Sequence, residues 1–379
     1  MAESSAVFEA AGVSVVERQD LQKLLDALMR RGYAILGPIR RDHAILYDEL
    51  KSAEELPEGW TAEHKAGSYR LKKRKDKALF GFVAGPNSWK QFFHPPRLLL
   101  FSGERKGGEF EISPPDANPP RLALLGIRPC EIQALKVQDK VFLGGPSTDT
   151  HYALRRKGTF VVAVNCSEPG GTCFCASLGT GPRAAGGFDL ALTEIVEKKR
   201  HFFTVETGSE IGAEVLGEVP HSPASREDTE AASAAMKVAC QRMGRALDTE
   251  GLKEILYGNL ESPVWEEVST RCLCCTNCTL VCPTCFCTTV EDVTDLSGRH
   301  AERHRRWDSC FTLDFSYIYG GHVRRTGASR YRQWLTHKLG TWQDQFGTLG
   351  CVGCGRCITW CPAGIDITEE AQRVRENQR

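Results

Sequence analysis

No excess of charge of either sign marks this chain: 48 Lys and Arg stand against 48 Asp and Glu in 379 residues. That balance argues against the basic field by which a protein gathers nucleic acid or an acidic membrane. No apolar run approaches the roughly 20 residues that cross a bilayer. The start, MAESSAVFEAAGV, has neither a basic leader nor a long apolar stretch, which predicts no secretory signal and a cytoplasmic protein. No G-x-G-x-x-G follows a candidate strand, and there is no Walker loop or nucleophile elbow. GFVAGP at 81–86 is too poor a match for a nucleotide loop, and no cysteine pattern of a nickel active site is present. Nothing here would accept electrons as a hydride or a bond.

Cysteine, by contrast, is abundant, with 17 in the chain and seven of them in the stretch RCLCCTNCTLVCPTCFC at 271–287. Disulfide frameworks suit short secreted domains, whereas thiols in the cytosol are kept reduced and dense spacings there point to metal.

The first half reads as α/β (or α+β). Leu21, Leu24, Leu25 and Leu28 recur at helical spacing, and Gly32 supplies the stop. RLALLGI at 121–127 and TFVVAVN at 159–165 have the length and branched content of buried strands. EIQALKVQDKVF at 131–142 fits a helix between them. A parallel βαβ unit follows. The basic stretch RLKKRKDK at 70–77 reads as a solvated surface loop, and SPPDANPP at 113–120 as a proline-rich loop. Residues 225–257 look helical, and Ser262 with Pro263 would start another helix. We therefore expect an α/β domain over 1–230 and an α-helical, two-cluster ferredoxin-type domain over 231–379. Within the latter, 283–350 is expected to be mostly helical. Its His300, His304, His322 and His337 are read as surface or structural residues rather than ligands.

Cys272, Cys275, Cys278 and Cys282 are spaced C-x2-C-x2-C-x3-C, with Pro283 following. Cys351, Cys354, Cys357 and Cys361 repeat the spacing, with Pro362 following. This is the bacterial-ferredoxin pattern for 4Fe-4S clusters, in which the fourth cysteine ligates the other cluster. One cluster is thus assigned to Cys272, Cys275, Cys278 and Cys361, the other to Cys351, Cys354, Cys357 and Cys282. The exchange staples two distant segments, so cluster loss should unfold the domain. Gly353 and Gly355 would let backbone amides approach the sulfurs. Zinc is the competing metal, but a zinc ribbon uses two cysteines per run rather than four.

A third set lies in the first half: Cys130, Cys166, Cys173 and Cys175. Cys130 follows the first apolar run and Cys166 ends the second, so both fall at the carboxyl edge of a parallel sheet, where sites usually form. The loop SEPGGTCFC would bring the other two alongside, and a third 4Fe-4S cluster is expected there. The start of a helix should also favour thiolate at Cys130. Cys274 reads as a spare thiol between ligands. Cys240, Cys285, Cys287 and Cys310 have no role assigned by spacing, although the last three could line a cluster pocket or serve redox chemistry.

RCLCCTNCTLVCPTCFCTTVEDVTDL, RWDSCFTLDFSYIYGGHVR and GCVGCGRCITWCPAGIDITEE closely resemble the β subunit of cytoplasmic, multi-subunit nickel–iron hydrogenases of the sulfhydrogenase type. GIRPCEIQALKVQDKVF and VAVNCSEPGGTCFCASLGTGP extend the resemblance, which spans roughly 70–379. It implies an electron-transfer subunit of a hetero-oligomer, lying between a flavin subunit that handles NAD(P)H and the hydrogenase small subunit, which feeds the large one. The iron–sulfur A subunit of anaerobic sulfite reductase has similar runs and is the alternative. A reading from another class is an iron–sulfur regulator or scaffold, supported only by the basic stretches at 70–77 and 299–306. Cys274 departs from the family pattern, where a smaller residue is expected.

Overall fold

RLALLGI and TFVVAVN form the centre of the fold as the strands Leu122–Ile127 and Phe160–Val164, buried along their whole length. They pair in parallel, and the helix Pro129–Phe142 connects them. Pro129 sits in the first turn, where an absent N–H costs nothing. The crossover also holds a short helix, Thr150–Arg156, capped by the Asp149 side chain. The computed structural model describes residues 12–83, 85–115 and 119–377. Most of the opening segment read for a leader, Ala84 of GFVAGP and residues 116–118 of the proline-rich stretch lie outside the described residues.

These strands belong to an eight-stranded sheet. Its order is Ser222–Pro223, Ser14–Glu17, His201–Thr207, Leu190–Val196, Phe160–Val164, Leu122–Ile127, Ala34–Arg41 and Ala44–Glu49. The four strands from Leu190–Val196 to Ala34–Arg41 are parallel, and antiparallel strands flank them on both sides. Leucines of the helix Leu21–Arg30 and Val215 and Leu216 of Glu210–Gly217 bury one face. Ile132 and Leu135 of Pro129–Phe142 help to bury the other. Strands covered on both faces read as continuous apolar runs, which is why this part was legible.

The segment RLKKRKDK is not wholly a loop. Its first residues complete a hairpin, Trp60–Lys65 with Ser68–Lys73. Residues 225–257 are helical in two pieces, Arg226–Gln241 and Leu252–Gly258.

The expectation of a mostly helical stretch between the two cysteine runs needs correcting. Helices cover Gly327–Thr336 and Trp342–Phe346, joined by a π-helical turn at His337–Thr341. But Thr288–Thr294 and His300–Trp307 are strands. They form a four-stranded antiparallel sheet with Arg97–Lys106 and Glu109–Ser113 from the first half. Cross-strand charge pairs favour this pairing: Asp292 lies opposite Arg303 and accepts two hydrogen bonds from it. The C-terminal part is therefore mixed. Its own core gathers Trp265, Phe311, Tyr331, Trp334 and Leu335 around the cysteine runs.

Candidate metal centres

Each cysteine run is wound around short helical pieces. Asn277–Leu280 and Arg356–Thr359 each span four residues, and each begins after a residue with positive φ, Thr276 or Gly355. Such tight turns direct successive sulfurs toward one space. Cys272, Cys275, Cys278 and Cys361 line a single cavity of ≈ 450 Å³ measured to its open mouth, together with Cys274, Phe311, Tyr331 and Trp334. Leu273 and Cys275 stand at the surface there. Burial raises the thiols: Cys272 is pushed up to about 11 and Cys278 well above the usual thiol range. Ile365 N–H donates to Cys361 Sγ at 3.4 Å.

Cys282 is buried and Cys351, Cys354 and Cys357 are half-buried, near enough to one another for their charges to interact. Burial, then the charges of the other three thiols, pushes Cys357 upward. Gly353, at φ +64°, donates its N–H to Cys351 Sγ at 3.5 Å, the amide approach expected of this loop. The loop has a second constraint: a Cβ on Gly353 would lie 2.6 Å from Cys175 N, and one on Gly355 2.3 Å from Thr172 O. Both glycines are thus needed for close packing against the segment that carries Cys173 and Cys175. Phe174 N donates to Gly353 O at 2.8 Å.

Cys130, Cys166, Cys173 and Cys175 also meet. They line a cavity of ≈ 430 Å³ beside Met243, Arg128 and Arg356. Cys130 and Cys166 sit just past the carboxyl ends of the two central strands. Arg128 holds the edge together by donating to Phe80 O and Phe82 O at 2.6 and 2.8 Å. Against the thiolate expected at Cys130, burial and the neighbouring Cys175 push its thiol well up. A bound metal would deprotonate it outright.

The three sets are contiguous. Cys357 of the second also borders the cavity of the first, and Cys354 borders that of the third. Among the described residues no three Cys, His, Asp or Glu converge closely enough to hold a single metal ion. The first and third sets instead ring cavities, which suits a multi-iron cluster better than one tetrahedral zinc.

Several polar residues around the second set were not singled out from sequence. Arg356, 4% exposed, pairs with Glu131, 1% exposed, at 2.8 Å. Tyr47 Oη donates to the other Glu131 oxygen at 2.6 Å. The position of Arg356 between Cys354 and Cys357 was its only signal. Lys90 and Lys338 are 3% and 2% exposed. Burial takes Lys90 down to about 8. For Lys338, burial opposes the charge, but Cys282 and Cys285 hold it well above the ordinary lysine value. Lysine reads as a surface residue, so neither could be found without the fold. Cys285 and Cys310 are buried and Cys287 half-buried; the neighbouring Cys310 is the main cause that lowers Cys287 to about 7. Cys274 has φ +49° and lines the first cavity, while Cys240 is exposed.

Residues 271–365 match the family described as "4Fe-4S dicluster domain". Over 345 residues the chain is 32% identical to the sulfhydrogenase 2 subunit beta of Pyrococcus furiosus, covering 90% of this chain and 92% of that protein. The chain belongs to the sulfhydrogenase beta-subunit family. As a sulfhydrogenase beta-type subunit it is an iron–sulfur protein that carries 4Fe-4S clusters and has an electron-transfer role. Among the described residues no helix is long and apolar enough to cross a membrane.

Proposed function

We propose that this subunit is a three-centre electron relay in a cytoplasmic hydrogenase complex, between a flavin subunit that handles NAD(P)H and the small subunit of a nickel–iron hydrogenase. Cys272, Cys275, Cys278 and Cys361 would hold the first 4Fe-4S cluster, and Cys351, Cys354, Cys357 and Cys282 the second. Cys130, Cys166, Cys173 and Cys175 would hold a third. Such clusters, when bound, supply one-electron storage at potentials set by charge, hydrogen bonds and burial. The protein's part is to hold the thiols, exclude water and fix the order of the sites. The contiguity of the three sets through Cys357 and Cys354 is the observation that carries this reading. One end opens at Leu273 and Cys275, and the other lies at the carboxyl edge of the main sheet. Residues 1–230 would form the half that carries the third centre, and 231–379 the two-cluster half.

The test is anaerobic purification of the tagged chain from its native host, with partners identified by mass spectrometry and the complex assayed for hydrogen-dependent NAD(P)+ reduction. Recovery of a flavoprotein and hydrogenase subunits is expected. A siroheme protein with sulfite reduction would replace this reading with the sulfite reductase one. Isolation alone, with specific DNA binding, would favour the regulator.

A further inference from the structure

The two exchanged cysteines, Cys361 and Cys282, have unlike surroundings. Cys361 Sγ receives a backbone amide, that of Ile365. Cys282 Sγ lies 3.2 Å from Lys338 Nζ and 3.1 Å from Thr284 Oγ1. Cys285 lies beside it, within reach of the same ammonium. Lys338 Nζ also reaches Cys285 Sγ at 3.5 Å, Thr284 Oγ1 at 3.3 Å and Gly350 O at 2.9 Å. These partners are thiols, a hydroxyl and a carbonyl, with no carboxylate among them. A buried ammonium is costly unless an anion lies beside it, and here the anion must be on the sulfur side.

The backbone is built to put the charge there. Lys338 lies in the π-helical turn His337–Thr341, which joins two helices. Turns of this kind are rare and concentrate at functional sites. Gly350, next to Cys351, donates its N–H to Lys338 O at 2.8 Å and ties the turn to the second cysteine run. Of the other buried cations near this set, Arg356 already pairs with Glu131 at 2.8 Å, and Lys90 Nζ donates to Cys285 O at 3.1 Å and sits 3.8 Å over the Trp307 ring.

We propose that Lys338 raises the reduction potential of the second centre above that of the first, by presenting a fixed positive charge to Cys282 Sγ, with the Cys285 thiol and the Thr284 hydroxyl, which itself donates to Gly350 O at 2.7 Å, completing the shell around the ammonium. The inference rests on Cys282 being a ligand of the second centre, as read above. Reduction adds one negative charge, which the ammonium stabilises, so electrons collect at the middle of the relay. It also gives Cys285 a task that a four-ligand count leaves open.

An EPR-monitored redox titration of the full chain, purified anaerobically, decides it. Lys338→Met should make one-electron uptake at one centre at least tenfold less favourable, a fall of about 59 mV, with the other centres unmoved and iron content intact. Lys338→Arg, which keeps the charge, should stay within threefold of the parent. Cys285→Ala, a milder change if Lys338→Met fails to fold, should lower the same centre by less and lose no iron. Unchanged potentials in Lys338→Met with full iron would overturn the proposal. So would an equal fall in Lys338→Arg, or loss of about four irons in Cys285→Ala, since that cysteine would then be a ligand. Cys282→Ser separates the two readings: if no signal changes in it, the ligand assignment fails whatever Lys338 does.

Discussion

Gly353 lies where the second thiol set meets the third, and its replacement by alanine would disturb both. At φ +64° a Cβ costs about 1–2 kcal/mol in backbone strain. The added methyl would also sit 2.6 Å from Cys175 N and 2.7 Å from Phe174 C, backbone atoms that cannot swing aside. Overpacking of this kind adds about 1–3 kcal/mol. The total is therefore about 2–5 kcal/mol. Gly347 is the control, since it has φ +65° but nothing within 4 Å of the added Cβ. Gly347→Ala should show the strain alone. Denaturant unfolding of anaerobic protein, followed by far-UV circular dichroism, should separate the two variants by about 1–3 kcal/mol. Iron analysis should show Gly353→Ala losing metal and Gly347→Ala retaining it. If the two variants unfold together with equal iron, the close packing of this loop on Cys175 is not what the glycine serves.

Glu131→Gln should destabilise the chain by about 3–5 kcal/mol, because Arg356 is left buried without its carboxylate. Replacing both partners by methionine should recover most of that loss in the same denaturant midpoint. Acid should weaken the fold through two buried histidines: burial holds His94 down to about 3 and His64 to about 4, against an ordinary value of 6.5. Below pH 6.5 the unfolded chain takes up protons that the folded one refuses. Stability present above that pH should thus fall as pH drops toward 4, by up to about 1.4 kcal/mol per unit for each histidine. His94→Phe, which also removes two unpartnered ring nitrogens, should lower the slope measured between pH 6 and 5, to which His64, His337 and His151 also contribute. Cys274→Gly should relieve the strain at φ +49° and change stability by no more than about 1 kcal/mol. Its iron content should equal that of the parent, whereas a loss of iron would make Cys274 a ligand.

How far the sequence reaches differs from one part to another. The βαβ unit was legible because its strands are covered on both faces, so RLALLGI and TFVVAVN carry no polar interruption. The spacing of the two cysteine runs was legible because ligand geometry repeats within a few residues. Cys130, Cys166, Cys173 and Cys175 could be gathered because strand direction puts their neighbours on one edge. RHAERHRRW misled, since the Arg and aromatic content of this interval looked helical. Its partners are Arg97–Lys106, some two hundred residues away, and TTVEDVT, whose β-branched residues were the overlooked signal. Lys90, Lys338 and the Glu131–Arg356 pair could not be read at all, because charged residues become interior only when distant segments close over them.

Three sets of four thiols are expected to hold three clusters in one chain. Iron and acid-labile sulfide per polypeptide, measured on anaerobically purified protein alongside Cys173→Ser, tests it most directly. About twelve irons are expected in the parent and about eight in the variant, since each cubane holds four. About eight in both would remove the third centre, and zinc in place of iron would contradict the relay altogether.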